Sequence, residues 1–275
     1  MGIITVSRLH GSGGTYFARQ LAKRLGYSFV DRMSMNQECR ESGRHISVFG
    51  VGGGDTPGLF EKMEELMVNP DYHKVSLVAS ILDRALENNI VFTGMGTGIV
   101  LGGMGNTMNV RVVRRQAERV SEIARVKDIG YDDAFDLVER MDEGKREFIM
   151  RYYGTDVGDP SIYHAVINSS YVSLDDAVNI AAGYSDRHLT PSHGTDAEMA
   201  LKMRLLEKRC ELVLFHIGMA HCYGKLAFNA EEAGLTITGN VRNEAEKDRL
   251  LETLRHNPET GRIYDEIESG IAERT

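Results

Sequence analysis

Apolar and polar positions write out strands and helices in turn along this chain. The run Ile3-Ile4-Thr5-Val6-Ser7 reads as a buried strand, because β-branched residues suit a covered, pleated surface. A polar glycine cluster, 8–15, follows as a tight loop. Phe17, Ala18, Leu21, Ala22 and Leu25 then recur at helical spacing up to Gly26, which stands where a left-handed helix end belongs. Residues 27–32 form a short apolar run that ends in the charges of Asp31 and Arg32, a second strand. Glycines crowd 42–58, the pattern of a loop, read either as a flap over the site or as disorder. A helix is predicted over 71–87, with Val75, Val78, Ala79, Leu82 and Leu86 on one face. The near-continuous apolar run 90–94 is the kind expected of a buried parallel strand, and 109–113 is another. From 114 to 183 the pattern is helical apart from a strand at 164–168, and Ser173 with Asp176 three residues on marks a helix start.

The pattern changes beyond residue 184. Residues 184–195 are polar and carry Pro191, Gly194, His188 and His193, which reads as a linker. A second unit follows, with helices over 197–209 and 244–254 and strands at 212–217, 225–229, 235–241 and 262–267. The expected organisation is a first domain over 1–184, a linker over 185–195 and a small α+β domain over 196–275.

The opening stretch carries the clearest chemistry. A strand, a glycine loop and a helix start, in that order, direct backbone N–H groups and the positive end of a helix dipole at one spot, which suits an anion. Gly11, Ser12, Gly13, Gly14 and Thr15 would form this cradle, since glycine permits close approach and positive φ. The spacing departs from the lysine-bearing phosphate loop G-x-x-x-x-G-K-[ST]. Gly14 stands where the lysine would be, and Arg8 stands near the first glycine. Spacing alone leaves two readings, a phosphate cradle or a bare β–α turn. Asp31 and Arg32 fall at the carboxyl end of their strand, where ligands gather in α/β sheets, or else form a surface pair. Arg114, Arg115, Arg119, Arg125, Arg140, Lys145, Arg146 and Arg151 crowd the helical region. They read as a solvated, ion-paired face or as a lid that brings cations to a phosphoryl group.

Composition narrows the classes. A formal net charge of −8 over 275 residues lacks the basic footprint of a general nucleic-acid binder. Cys39, Cys210 and Cys222 are odd in number and none lies in a C-x-x-C pair, which fits a reduced cytoplasmic setting and gives zinc no support. No signal peptide or membrane-spanning run is expected.

The opening ITVSR-x-x-GSGG with its following AR-x-LA-x-x-LGY-x-F-x-DR resembles the cytidylate kinase-like family. Three later segments resemble it in the right order: 89–96, the stretch 140–146 with 151–154, and 163–169. The resemblance covers about 1–184 and implies an α/β, three-layer P-loop NTPase domain with a mostly parallel sheet. Met95 stands where the family commonly shows arginine, and the family's loop generally lacks the lysine while keeping the arginine. The resemblance implies a phosphotransferase moving the ATP γ-phosphoryl group to a nucleoside monophosphate or similar acceptor, with ATP and Mg²⁺. Arg8, Lys145, Arg146 and Arg151 would be catalytic, the cradle would hold the donor phosphates, and Ser12 or Thr15 would hold the metal. Asp31, Arg32, Asp142 and Asn168 would address the substrate, although Asn168 at its strand end also suits a turn cap. The alternative is a non-catalytic nucleotide sensor. A weaker resemblance, over about 195–272 and clearest from Gly234, is to a BON domain, a small α+β module. It implies binding of a protein or small ligand, and a homo-oligomer is compatible with these features.

Overall fold

The computed structural model describes residues 2–41, 69–189 and 194–270. The glycine-rich stretch 42–58 lies outside the described residues. The elements run β1 (Ile3–Arg8), α1 (Gly14–Leu25), β2 (Ser28–Val30), α2 (Arg32–Glu41), α3 (Pro70–Ala85), β3 (Ile90–Thr93), a single helical turn (Thr97–Val100) and β4 (Thr107–Val113). They continue with α4 (Gln116–Lys127), α5 (Tyr131–Tyr153), β5 (Ala165–Asn168), α6 (Leu174–His188), α7 (Gly194–His216), β6 (Leu226–Glu231), β7 (Gly234–Val241), α8 (Glu244–Arg255) and β8 (Ile263–Ser269). Contacts divide the chain into two units. One holds the described residues of 1–45 and 87–197, the other those of 63–86 and 198–275.

The first unit is an α/β fold around a five-stranded sheet of order β2-β3-β1-β4-β5, parallel throughout. The period-2 alternation of the strands sorts their side chains. Ile4, Val6, Val110 and Val112 join Phe17, Ala18, Leu21 and Ala22 of α1 and Ala177, Val178 and Ala181 of α6 in one core. The other face is polar near the centre, where Thr5 Oγ1 donates to Asn109 Oδ1 at 2.9 Å. β1 runs between β3 and β4, and the chain leaves it first towards β2 and later towards β4. Its carboxyl end is therefore the crevice where α/β sheets bind ligands.

The second unit has a three-stranded sheet, with β6 and β7 antiparallel and β7 and β8 parallel, the last pair joined through α8. Leu214, Leu226, Leu235, Ile237, Leu250 and Ile267 are among its core. The strand expected at 212–217 is helix: α7 runs unbroken to His216. Cys210 and Leu214 lie one turn apart and both are buried, so an apolar run short enough for a strand instead extends a helical face. The linker expected at 185–195 is also corrected in its first part. α6 continues to His188, and Ser185 and Leu189 are buried, because the small residues of this helix let it pack closely on α1. α3, placed by chain order with the first domain, groups with the second unit. There Asp83 pairs with Arg209 at 2.9 Å and Tyr72 meets Phe215 edge to face. Among the described residues no helix is long and apolar enough to cross a membrane.

Candidate active site

The loop between β1 and α1 has the shape its glycines predict. Gly11 and Gly13 take φ of +77° and +79°, and Gly13 begins α1 with no side-chain cap and no acidic residue in the first turn. The amides at this helix start are thus left for an anion rather than closed by the protein. The loop is braced from outside the cradle: Ser169 Oγ donates to the Ser12 carbonyl at 2.9 Å, and Ser12 Oγ donates to the Leu9 carbonyl at 2.8 Å.

Arg8 and Gly14 explain one another. A Cβ on Gly14 would lie 2.4 Å from Arg8 Cβ and 3.2 Å from Val112 Cβ. The arginine stem fills the space that a lysine side chain at position 14 would need to leave the helix. The Arg8 guanidinium then passes over the end of β3, where a Cβ on Gly94 would stand 2.3 Å from its Nη1. Burial, then the nearby Arg32, loosen the hold of Arg8 on its proton, with Asp31 opposing. Asp31 itself pairs with Arg19 at 3.3 Å and accepts from the amides of Met33 and Ser34 at the start of α2. No carboxylate pairs with Arg8 among the described residues. An arginine without a carboxylate partner, its stem beside an uncapped helix start and its guanidinium over the end of the neighbouring strand, suits a nearby anion.

The turn after β3 is strained in the same region. Gly94, Met95 and Gly96 take φ of +75°, +60° and +72° in succession. Only glycine adopts this region without cost, so Met95 marks stored strain of the kind that gathers at functional sites. Tyr153, at the end of α5, donates to the Met95 carbonyl at 2.8 Å, and its ring occupies the space a Cβ on Gly96 would need.

The α4–α5 hairpin meets the loop through one carboxylate. Asp142 accepts from the His10 amide at 2.7 Å, from buried Arg119 and from Lys145 Nζ at 3.2 Å. Arg119 also donates to the His10 carbonyl at 2.9 Å. Asp142, expected to address the substrate, thus ties the hairpin to the cradle. Burial drives the Lys145 pKa down to about 8, helped by Arg8 and opposed by Asp142. Burial likewise pushes His10 down to about 4, helped by Lys145. Lys145 therefore sits within the electrostatic reach of both Asp142 and Arg8. Arg146 instead pairs with Glu143 on the exposed side, and Arg151 is exposed. Asn168 Oδ1 accepts from the Ser170 amide at 3.0 Å, capping its own turn.

Of the residues singled out by sequence, the cradle, Arg8, Asp31, Arg32 and Lys145 gather at the carboxyl end of the sheet. Tyr153, Arg111 and Tyr163 were not singled out as site residues, and Arg119 was read only as one of the arginines of an ion-paired face or lid. Arg111 did carry a signal: Asn109 and Arg111 alternate with Val110 and Val112, which puts a charge on a covered face.

The sequence profile of the cytidylate kinase-like family matches residues 3–171. A cytidylate kinase of Thermococcus kodakarensis is 27% identical over 191 residues, covering 69% of this chain and 90% of the relative. One of Pyrococcus furiosus is 29% identical over 195 residues with the same two coverages. Among solved structures, an uncharacterized protein from Eubacterium ventriosum superposes with a TM-score of 0.54 at 16% identity. That likeness in fold covers 68% of this chain and 99% of the other.

Proposed function

The chain belongs to the cytidylate kinase-like family, and from that premise we propose that it transfers the ATP γ-phosphoryl group to a nucleoside monophosphate, cytidylate first among the candidates. The observation that carries this reading is the reciprocal fit of Arg8 and Gly14, which keeps a cation at a phosphate loop without the lysine. The loop from Gly11 to Thr15 cradles the donor phosphates through amides other than that of Ser12, which donates to the Leu9 carbonyl at 3.3 Å. Arg8 and Lys145 face the migrating group, where negative charge spreads over its oxygens. An acceptor phosphate oxygen attacks the γ-phosphorus as the bond to the ADP oxygen breaks. Asp31 and Arg32 shape the acceptor side, and the α4–α5 hairpin, anchored by Asp142, excludes water. Arg146, Arg151 and Asn168 stand outside this cluster in the arrangement described.

Of the two hydroxyls proposed for Mg²⁺, that of Ser12 is buried and donates to Leu9, whereas Thr15 lies in the first turn of α1 and is only partly buried. Thr15 fits the metal better. When bound, the ion would neutralise donor phosphate charge. Within the second unit, α7 to β8 run helix–strand–strand–helix–strand, and the sequence resemblance of this stretch to a BON domain is the ground for proposing a binding role for it. Its occupant, a protein or a small ligand, is part of this proposal.

The assay is transfer from labelled ATP to a panel of nucleoside monophosphates. The reading expects turnover with at least one, CMP foremost. ATP binding with no transfer to any of them would favour the sensor.

The Lys145 pKa gives a second test. The lysine is charged below about pH 8 and loses its charge above it, so kcat/KM is expected to fall as pH rises through that value. Lys145→Arg keeps the charge and should move the fall upward. An unchanged profile in this variant would remove Lys145 from the reacting region.

A further inference from the structure

Arg111 on β4 is a buried cation with only neutral partners. It is 8% exposed, and its Nη1 donates to Ser7 Oγ at 3.0 Å and to the Tyr163 hydroxyl at 3.2 Å. Its guanidinium carbon lies 5.5 Å from the Tyr163 ring centre. Tyr163 is itself fixed, donating to the Val157 carbonyl at 2.8 Å. The contrast with Arg119 is direct: that arginine is 5% exposed and has Asp142. Among the described residues no carboxylate pairs with Arg111. Burying a charge without a counter-charge costs more than neutral hydrogen bonds return, so an anion is the missing partner.

The geometry says how such an anion would bind. Nη1 is taken by Ser7 and Tyr163. Nε and Nη2 donate to no described acceptor, and neither nitrogen is sealed from solvent. These two N–H groups point the same way from one edge of the guanidinium, the pair that grips two oxygens of a phosphate or carboxylate. The position also separates this anion from the donor. Arg111 is in register with Ser7, and both alternate with residues that face α1. It therefore lies on the sheet face opposite α1, whose start cradles the donor phosphates. Asn109, two residues earlier on that face, holds the Gly98 carbonyl at 2.8 Å, just beyond the strained turn at Gly94–Gly96.

We infer that Arg111, steadied by Ser7 and Tyr163, is a specificity residue that grips the phosphate of the acceptor. This rests on the phosphotransferase reading. The test compares the best monophosphate of the panel, CMP first, with its nucleoside, by calorimetry and by steady-state kinetics. In the wild type the monophosphate is expected to bind more tightly than the nucleoside. Arg111→Met is expected to raise the acceptor KM and Kd about 10- to 100-fold while leaving nucleoside and ATP affinity unchanged. Arg111→Lys, which keeps the charge and loses the two-pronged edge, should fall between, and melting curves of both variants check the fold. Unchanged discrimination between monophosphate and nucleoside in Arg111→Met overturns the inference, whatever the loss of stability. A wild type that transfers phosphate while this variant discriminates normally overturns this inference alone. A wild type that neither binds nor phosphorylates any monophosphate overturns the functional reading with it.

Discussion

Gly14→Lys, which restores the lysine of the common phosphate loop, is expected to weaken the protein and abolish ATP binding. The added Cβ would stand 2.4 Å from Arg8 Cβ, a stem atom fixed to the backbone, and 3.2 Å from Val112 Cβ. Forcing atoms into a filled space costs about 1–3 kcal/mol. At about 2–4 °C per kcal/mol for a domain of this size, the melting temperature should drop by several degrees. Arg8→Gly in the same chain vacates that space, so the double variant should regain most of the lost stability and some ATP affinity. Melting temperature and ATP affinity for the four proteins of this cycle give the coupling directly. Additive effects would mean that Arg8 and Gly14 do not share one space.

Much of the first unit was legible from pattern alone. The opening strand, loop and helix stand within a residue or two of their expected places, because Ile3, Ile4 and Val6 are wholly covered and α1 has a clear apolar face. The helix start at Ser173 follows its local signal, with Ser173 Oγ accepting from the Asp176 amide. The errors fall where local pattern is ambiguous and tertiary packing decides. Residues 212–216 suit a strand by composition, yet Leu214 completes a face begun by Leu205 and Cys210 in a helix that runs straight through. The grouping of α3 with the second unit depends on Asp83 meeting Arg209, 126 residues away, which periodicity does not encode.

The site was legible in its backbone chemistry and less so in its side chains. Glycines at 11 and 13 announced positive φ, and both have it. That Arg8 would supply the missing lysine charge was an expectation from the sequence; what the structure adds is that the Arg8 stem and a side chain at position 14 would compete for one space. The resemblance implied a substrate role for Asp142; its bonds to Arg119 and to the His10 amide are what its neighbourhood of the sequence did not announce. The reach of Tyr153 to Met95 spans 58 residues and was equally invisible.

Arg8→Ala tests the central claim most directly, because three quantities in one variant separate the possible roles of this arginine. In the structure its guanidinium has no acidic partner among the described residues, and Asp31 is engaged by Arg19, so little stability is expected to depend on an ion pair at Arg8. Burial and then the nearby Arg32 lower the Arg8 pKa, with Asp31 opposing, so a bound anion would favour its charged form. Removing one preorganised charge from a phosphoryl-transfer site costs about 10²-fold or more in turnover. The account therefore predicts a kcat loss of about that size, a smaller loss of ATP affinity and a nearly unchanged melting temperature. A variant that turns over normally, or one that loses stability while kcat and ATP affinity hold, would contradict it.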